Sequence, residues 1–172
     1  MFCETAVMPV WHEFEARPGL LIRITASLNG VQRIDLNPED AAQGEHDGSN
    51  AVIADGMAQL RGYFEGRIRV FTLPLDLRGT EFQMRVWRTL CSIPYGETRS
   101  YSQIASLIGS PRAVRAVGAA NGRNPIAIVV PCHRVIGAGG GLVGYGGGLA
   151  VKKLLLELEV SAALNHHPKE IL

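Results

Sequence analysis

Two reciprocal helix-start signals and a Gly-Ser-Pro break, all within residues 80–111, restrict this chain more than any other feature. Thr80 followed by Gln83 has the form of a capping box, in which the hydroxyl takes the N–H three residues on and the glutamine takes back the cap's own N–H. Phe82, Val86 and Leu90 follow at helical spacing, so a helix of about three turns begins there and stops near Pro94 and Gly96. Ser100 and Gln103 repeat the signal ahead of Ile104, Leu107 and Ile108, and Gly109 stands where a C′ glycine closes a helix. Ser110 and Pro111 supply an N-cap and a proline at the first helical position, opening a third helix through "RAVRAVGAANG". Two short helices separated by "GSP" read as a helix-turn-helix or as a corner used only for packing.

The third helix has an unusual composition. A helix that reads base edges needs long side chains such as Arg, Asn or Gln, yet this one offers Gly118, Ala119, Ala120 and Gly122, with Arg112 and Arg115 near its start. Glycine inside a helix costs about 1 kcal/mol relative to alanine, so small residues clustered there imply a close approach to the backbone. The approaching group is either another helix or a nucleic-acid strand gripped without sequence readout.

The first half reads as strands followed by a helix. "GLLIRITAS" and "GVQRIDL" flank the turn signal "LNG" and predict a hairpin; "NPEDAAQGEHDGSN" then reads as loop. Ile53, Met57, Leu60 and Phe64 share one helical face that packs on the sheet. "RVFTLPLDL" adds a strand, with Pro74 marking an edge or a crossing segment. The expected fold class is α/β, of the α+β kind. Residues 1–78 form a small N-terminal antiparallel sheet with a helix, residues 79–160 a mostly helical unit with the helix-turn-helix, and residues 161–172 a tail.

At 172 residues with 47% hydrophobic and 19% charged side chains, the chain has the composition of a folded globular protein. Its longest apolar run, "PIAIVVP", is too short to cross a bilayer, and the N-terminus carries acids where a signal peptide would be basic. A cytoplasmic location without membrane contact is expected. The net charge of +1 conceals an asymmetry: residues 1–78 hold 7 Lys/Arg against 11 Asp/Glu, and residues 79–160 hold 9 against 4. A basic second half points weakly to a polyanion and equally to a solvated basic face.

Three cysteines, Cys3, Cys91 and Cys132, form neither a disulfide framework nor a regular zinc pattern. Cys132 ends an apolar run that reads as a buried strand, "AIVVP", and His133 and Arg134 follow it directly. Residue types leave open an inert buried thiol, a metal ligand, a hydrolase nucleophile, and a nucleophile beside a DNA-gripping motif. In the last reading His133 or Arg134 lowers the thiol pKa and raises its thiolate fraction.

Residues 93–159, "IPYGETRSYSQIASLIGSPRAVRAVGAANGRNPIAIVVPCHRVIGAGGGLVGYGGGLAVKKLLLELE", resemble the DNA-binding and active-site region of the O6-alkylguanine-DNA alkyltransferases. The P-C-H-R-V core, the N-P before it, "GYGGGLAVK" after it and a glutamate near the end of the last helix match in order and spacing. The resemblance implies that double-stranded DNA is bound through its minor groove and a damaged guanine is flipped out. Cys132 then attacks the O6-alkyl carbon and stays alkylated, so each molecule acts once. It further implies that His133 holds an activating water oriented by Glu159, and that Asn124 ties the recognition helix to the active-site segment. Tyr101 presses the nucleotide outward and hydrogen-bonds the leaving base, and Arg115 fills the gap in the duplex.

Arg112, Gly118, Ala119 and Arg123 complete the implied DNA face. Tyr145, Gly146, Val135 and Arg134 form the implied substrate pocket, with the carbonyls of Cys132 and Val135 reading the guanine amino group. Gly146 departs from the serine that relatives often carry, so a backbone donor survives without the hydroxyl. No cofactor, no metal and action as a monomer are expected. Relatives with tryptophan in place of the cysteine bind alkylated DNA without repairing it, so a non-catalytic lesion-recognition protein is the alternative, against which Cys132 speaks.

Overall fold

The computed structural model describes residues 8–164. Four strands, β1 (Val10–Arg17), β2 (Leu20–Ser27), β3 (Gly30–Leu36) and β4 (Glu45–His46), form a sheet in the order β3-β2-β1-β4. The hairpin around "LNG" is present, and β1 and β2 also pair antiparallel. β4 lies parallel to β1, so the sheet is mixed rather than antiparallel, and the segment read as loop contributes this short strand. On β2, Ile22, Ile24 and Ala26 are fully buried. Their face is covered by α1 (Ala51–Phe64), which Asn50 caps by accepting the Val52 and Ile53 N–H groups and which buries Ile53, Leu60, Tyr63 and Phe64.

"RVFTLPLDL" is a crossing segment rather than a strand: Val31 N–H donates to the Pro74 carbonyl at 2.8 Å and Asp76 N–H to the Val31 carbonyl at 2.9 Å. Lower on the same strand, Ile34 N–H donates to Pro125 at 2.9 Å and the Ala127 N–H to Ile34 at 3.3 Å. Both contacts occupy the open edge of β3, which would otherwise template pairing with another chain. They also fasten the sheet to the segment that leads into Cys132.

The second half holds α2 (Glu81–Leu90), β5 (Arg99–Ser100), α3 (Tyr101–Leu107), α4 (Val114–Gly122), a 3-10 turn at Cys132–Arg134, β6 (Val135–Ile136) and α5 (Gly148–Leu164). Both capping boxes form, with reciprocal bonds between Thr80 and Gln83 and between Ser100 and Gln103. Gly109 adopts φ 69° after α3, in the left-handed region that favours glycine. Ser110 and Pro111 do not start α4. The Ala113 N–H closes a turn onto the Ser110 carbonyl at 2.8 Å, and the helix begins at Val114 without a side-chain cap. Proline here serves the turn, where its fixed φ is equally suited.

"AIVVP" is not a strand either. Val129 N–H donates to Ala127 and Val130 N–H to Ile126, a tight turn that puts Ile128 at φ 71°, costly for a β-branched residue. One contiguous apolar core runs from Phe14 and Ile22 through Trp87 and Ile104 to Val135 and Leu155, so residues 1–78 and 79–160 share a core. α5 extends to Leu164, into the segment expected to be tail, and the Ala162 carbonyl accepts from Arg69 Nη2 at 2.8 Å. The rest of that tail lies outside the described residues. Among the described residues, no helix is long and apolar enough to cross a membrane.

Candidate active site

Cys132 sits at the start of the 3-10 turn, 5% exposed, on the wall of a cavity of about 510 Å³. The Ile126–Val130 turn that leads into it is held by Asn124. Its Nδ2 donates to the Val130 carbonyl at 2.8 Å and lies 3.0 Å from Cys132 Sγ, while its Oδ1 accepts the Ile126 N–H at 3.1 Å. These bonds supply partners for the backbone groups that the strained turn leaves without a ladder. Asn124 thus joins the end of α4 to the thiol.

Next in the 3-10 turn, His133 is fully buried, as is Glu159 of α5, and His133 Nε2 meets Glu159 Oε1 at 2.7 Å. A carboxylate only accepts, so Nε2 carries the proton and Nδ1 presents a lone pair. Nδ1 has no hydrogen-bond partner among the described residues. Burial pushes His133 below its ordinary 6.5 against the pull of Glu159, which keeps the ring neutral near pH 7. Burial likewise opposes the charge on Glu159, but hydrogen bonds from His133 and Arg134, with the Arg134 charge and in acid that of His133, outweigh it and hold the carboxyl at about 2. A neutral imidazole fixed by an ionised carboxylate is a base with a defined open face.

The thiol is not lowered by the side-chain charge of either following residue. Burial pushes Cys132 up, and what opposes burial is the Asn124 hydrogen bond, the Lys152 charge and the backbone N–H groups of Cys132 and His133. His133 is neutral, and the Arg134 guanidinium is engaged elsewhere, donating to Glu159 at 2.9–3.2 Å and to the Ile93 carbonyl at 2.6 Å. Arg134 therefore does not line the pocket, where the resemblance placed it. The resting group is a thiol that needs a base, rather than a preformed thiolate.

Of the other pocket residues, Tyr145 and Gly146 line the cavity, and nothing lies within 4 Å of a Cβ built on Gly146. Val135 is buried in β6 outside the lining, and its carbonyl accepts from Lys152 Nζ at 2.6 Å, leaving one lone pair for any other donor. Tyr101 is the first residue of α3, with its hydroxyl donating to the Val143 carbonyl at 3.3 Å and its ring beside Gly118. On α4, Arg115, Ala119 and Gly122 recur at helical spacing and are all exposed, as are Arg112 and Arg123. Among the described residues, none of these three arginines is paired with a carboxylate.

Four contributors escaped the sequence reading. Lys152, fully buried, bridges the Val135 and Val143 carbonyls. Tyr63 donates its hydroxyl to Glu159 Oε1 at 2.7 Å. Asn121 Nδ2 reaches the Cys132 carbonyl at 3.4 Å. The opposite cavity wall is Leu36–Asp40, from the first half of the chain. One signal was available: Lys152, Leu155 and Glu159 share the buried stripe of α5, where charged residues are out of place. Cys3 lies outside the described residues, and among those described no group of three or more His, Cys, Asp or Glu is placed to hold a metal ion.

A base-backed thiol at the mouth of a cavity, flanked by a helix-turn-helix with unpaired arginines, defines a group-accepting protein that works against nucleic acid. Comparison with known proteins narrows that class. Residues 81–161 match the family described as 6-O-methylguanine DNA methyltransferase, DNA binding domain. The methylated-DNA–protein-cysteine methyltransferase of Mycobacterium leprae is 56% identical over 132 residues, 77% of this chain and 79% of that protein. That of Methanosarcina acetivorans is 60% identical over 134 residues, 78% and 82% of the two chains. The crystal structure of Mycobacterium tuberculosis OGT in complex with DNA superposes with a TM-score of 0.81 at 46% identity, covering 89% of this chain and 94% of that one. The chain belongs to the methylated-DNA–protein-cysteine methyltransferase family.

Proposed function

We propose that this protein repairs DNA by taking the alkyl group of O6-alkylguanine onto Cys132, once per molecule. The observation that carries the reading is the buried thiol one residue before a neutral His133 whose proton is fixed on Nε2 by Glu159. The thiol proton passes to His133 Nδ1, through a bridging water as in the resemblance. The S–C bond forms as the C–O6 bond breaks, and the electron pair leaves with guanine O6. Tyr101 donates a hydrogen bond to the departing base; burial keeps its hydroxyl above the usual 10, hence protonated. Its existing bond to Val143 is long and easily redirected. A thioether offers no good leaving group, which makes the transfer irreversible.

DNA is bound by the α3–α4 unit. The exposed small-residue face of α4 suits close approach of a phosphate backbone in the minor groove, and Arg115 at its start fills the gap left by the extruded base. Unstacking a base costs a few kcal/mol, which the arginine and the cavity contacts offset. The protein acts as a monomer.

Cys132→Ser tests the assignment. The variant is expected to bind a duplex carrying O6-methylguanine in preference to the unmodified duplex while dealkylation disappears. Unchanged dealkylation would contradict the role of this thiol.

A further inference from the structure

We propose that Tyr63, supplied by α1 of the N-terminal half, is a positioning residue for the His133–Glu159 pair and so completes the site from outside the matched region 81–161. The inference rests on the reading of His133 as the base that receives the thiol proton.

The geometry around Glu159 carries it. Oε1 accepts from Tyr63 at 2.7 Å and from His133 Nε2 at 2.7 Å, with Arg134 Nη2 at 3.0 Å. Oε2 accepts from Arg134 Nε at 2.9 Å and from the Gly96 N–H at 3.0 Å. The carboxylate is clamped from α1, the loop after α2 and the 3-10 turn at once, so its plane cannot rotate away from the imidazole. Burial and the neighbouring Glu159 charge push the Tyr63 hydroxyl well above 10, so it remains a donor throughout the accessible pH range. Its contact with His133 Nε2, 3.5 Å, is secondary because that nitrogen already spends its proton on Glu159.

Two consequences follow for the base. A hydrogen bond donated to Oε1 takes up part of the negative charge that His133 otherwise shares with Arg134 and Gly96. It thereby keeps the imidazole neutral and its Nδ1 lone pair free. The groups acting on the ring are Glu159 and Lys152 from α5, Arg134 from the 3-10 turn and the Tyr63 hydroxyl from α1, with Tyr95 packed edge-on against Tyr63 at 6.0 Å. Removing the hydroxyl leaves the other groups in place and raises the proton affinity of His133.

Tyr63→Phe preserves the buried ring and deletes only the donor. Rates of methyl transfer to Cys132 are measured against pH for both proteins, and the His133 ring is titrated by 15N NMR without DNA. In the variant the acid limb of the rate profile is expected at higher pH, with the rate near neutrality reduced about threefold to tenfold and converging with the parent at high pH. The ring is expected to titrate at higher pH too. A rate lowered equally at every pH, or an unshifted titration, would overturn the proposal. Should the parent protein transfer no methyl group at any pH, the proposed function fails, and the titration still judges Tyr63. Should the variant not fold, the parent spectrum decides: a slowly exchanging Tyr63 hydroxyl proton with a cross-peak to the His133 ring supports the bond, and its absence overturns it.

Discussion

Two arginines are sealed in this molecule to the same depth, Arg23 at 6% exposure and Arg134 at 5%, and each faces carboxylates. Arg23 binds Glu13 at 2.7 Å and Asp40 at 3.2 Å, whose side chains are 29% and 68% exposed. Arg134 binds Glu159, whose side chain is 0% exposed. A carboxylate at the surface satisfies its remaining lone pairs with water, whereas a buried one must find every donor in the protein. Glu159 finds them in His133, Tyr63 and Gly96. The difference therefore lies in the counter-ion: Arg23 secures the outer face of the sheet, and Arg134 holds a charge that orients a base.

That contrast breaks most severely at Glu159. Glu159→Gln keeps the shape and removes the charge, and methyl transfer in single-turnover kinetics is expected to slow about a hundredfold or more. Rates within a factor of about two of the parent would show that the carboxylate only fills space. Next in size is Arg134→Met, which strands a buried charge and is expected to cost about 3–5 kcal/mol in urea unfolding. Arg23→Met leaves its carboxylates hydrated, with an expected loss of about 1 kcal/mol and an unchanged transfer rate. Equal losses for the two variants would remove the distinction.

Acid sharpens the comparison further. His133 and Glu159 both have lowered values in the fold, so each contributes stability that is complete above its unfolded value and lost as pH falls through its folded one. Stability should decline in two stages, the first beginning near 6.5 as His133 is called on to charge, the second between 4.5 and about 2 as Glu159 protonates. His133→Gln is expected to erase the first stage in a pH series of urea midpoints. Persistence of that stage would assign it to another group.

Features encoded within three or four residues were legible beforehand: both capping boxes, the Gly109 helix end and the hairpin at "LNG". Those that depend on distant partners were not. β1 escaped because His12 and Ala16 dilute the apolar face that Phe14 anchors, and β4 is two residues long. The run before Cys132 has strand composition, yet Asn124 and the edge of β3 fold it into a turn, an override that no local pattern reveals. The thiol, its histidine and its glutamate could be named from the matched motifs. Tyr63 could not, since a tyrosine on an apolar helix face looks like core until its hydroxyl is seen to meet a carboxylate 96 residues away.

One measurement bears on all of this: the mass of the intact protein and of its peptides after incubation with a duplex carrying a single O6-methylguanine. One added methyl group per molecule, located on Cys132, with the guanine restored, is the result expected. Tight binding with no change in mass, or a methyl group on any other residue, would contradict Cys132 as the acceptor and leave a recognition protein in place of a repair protein.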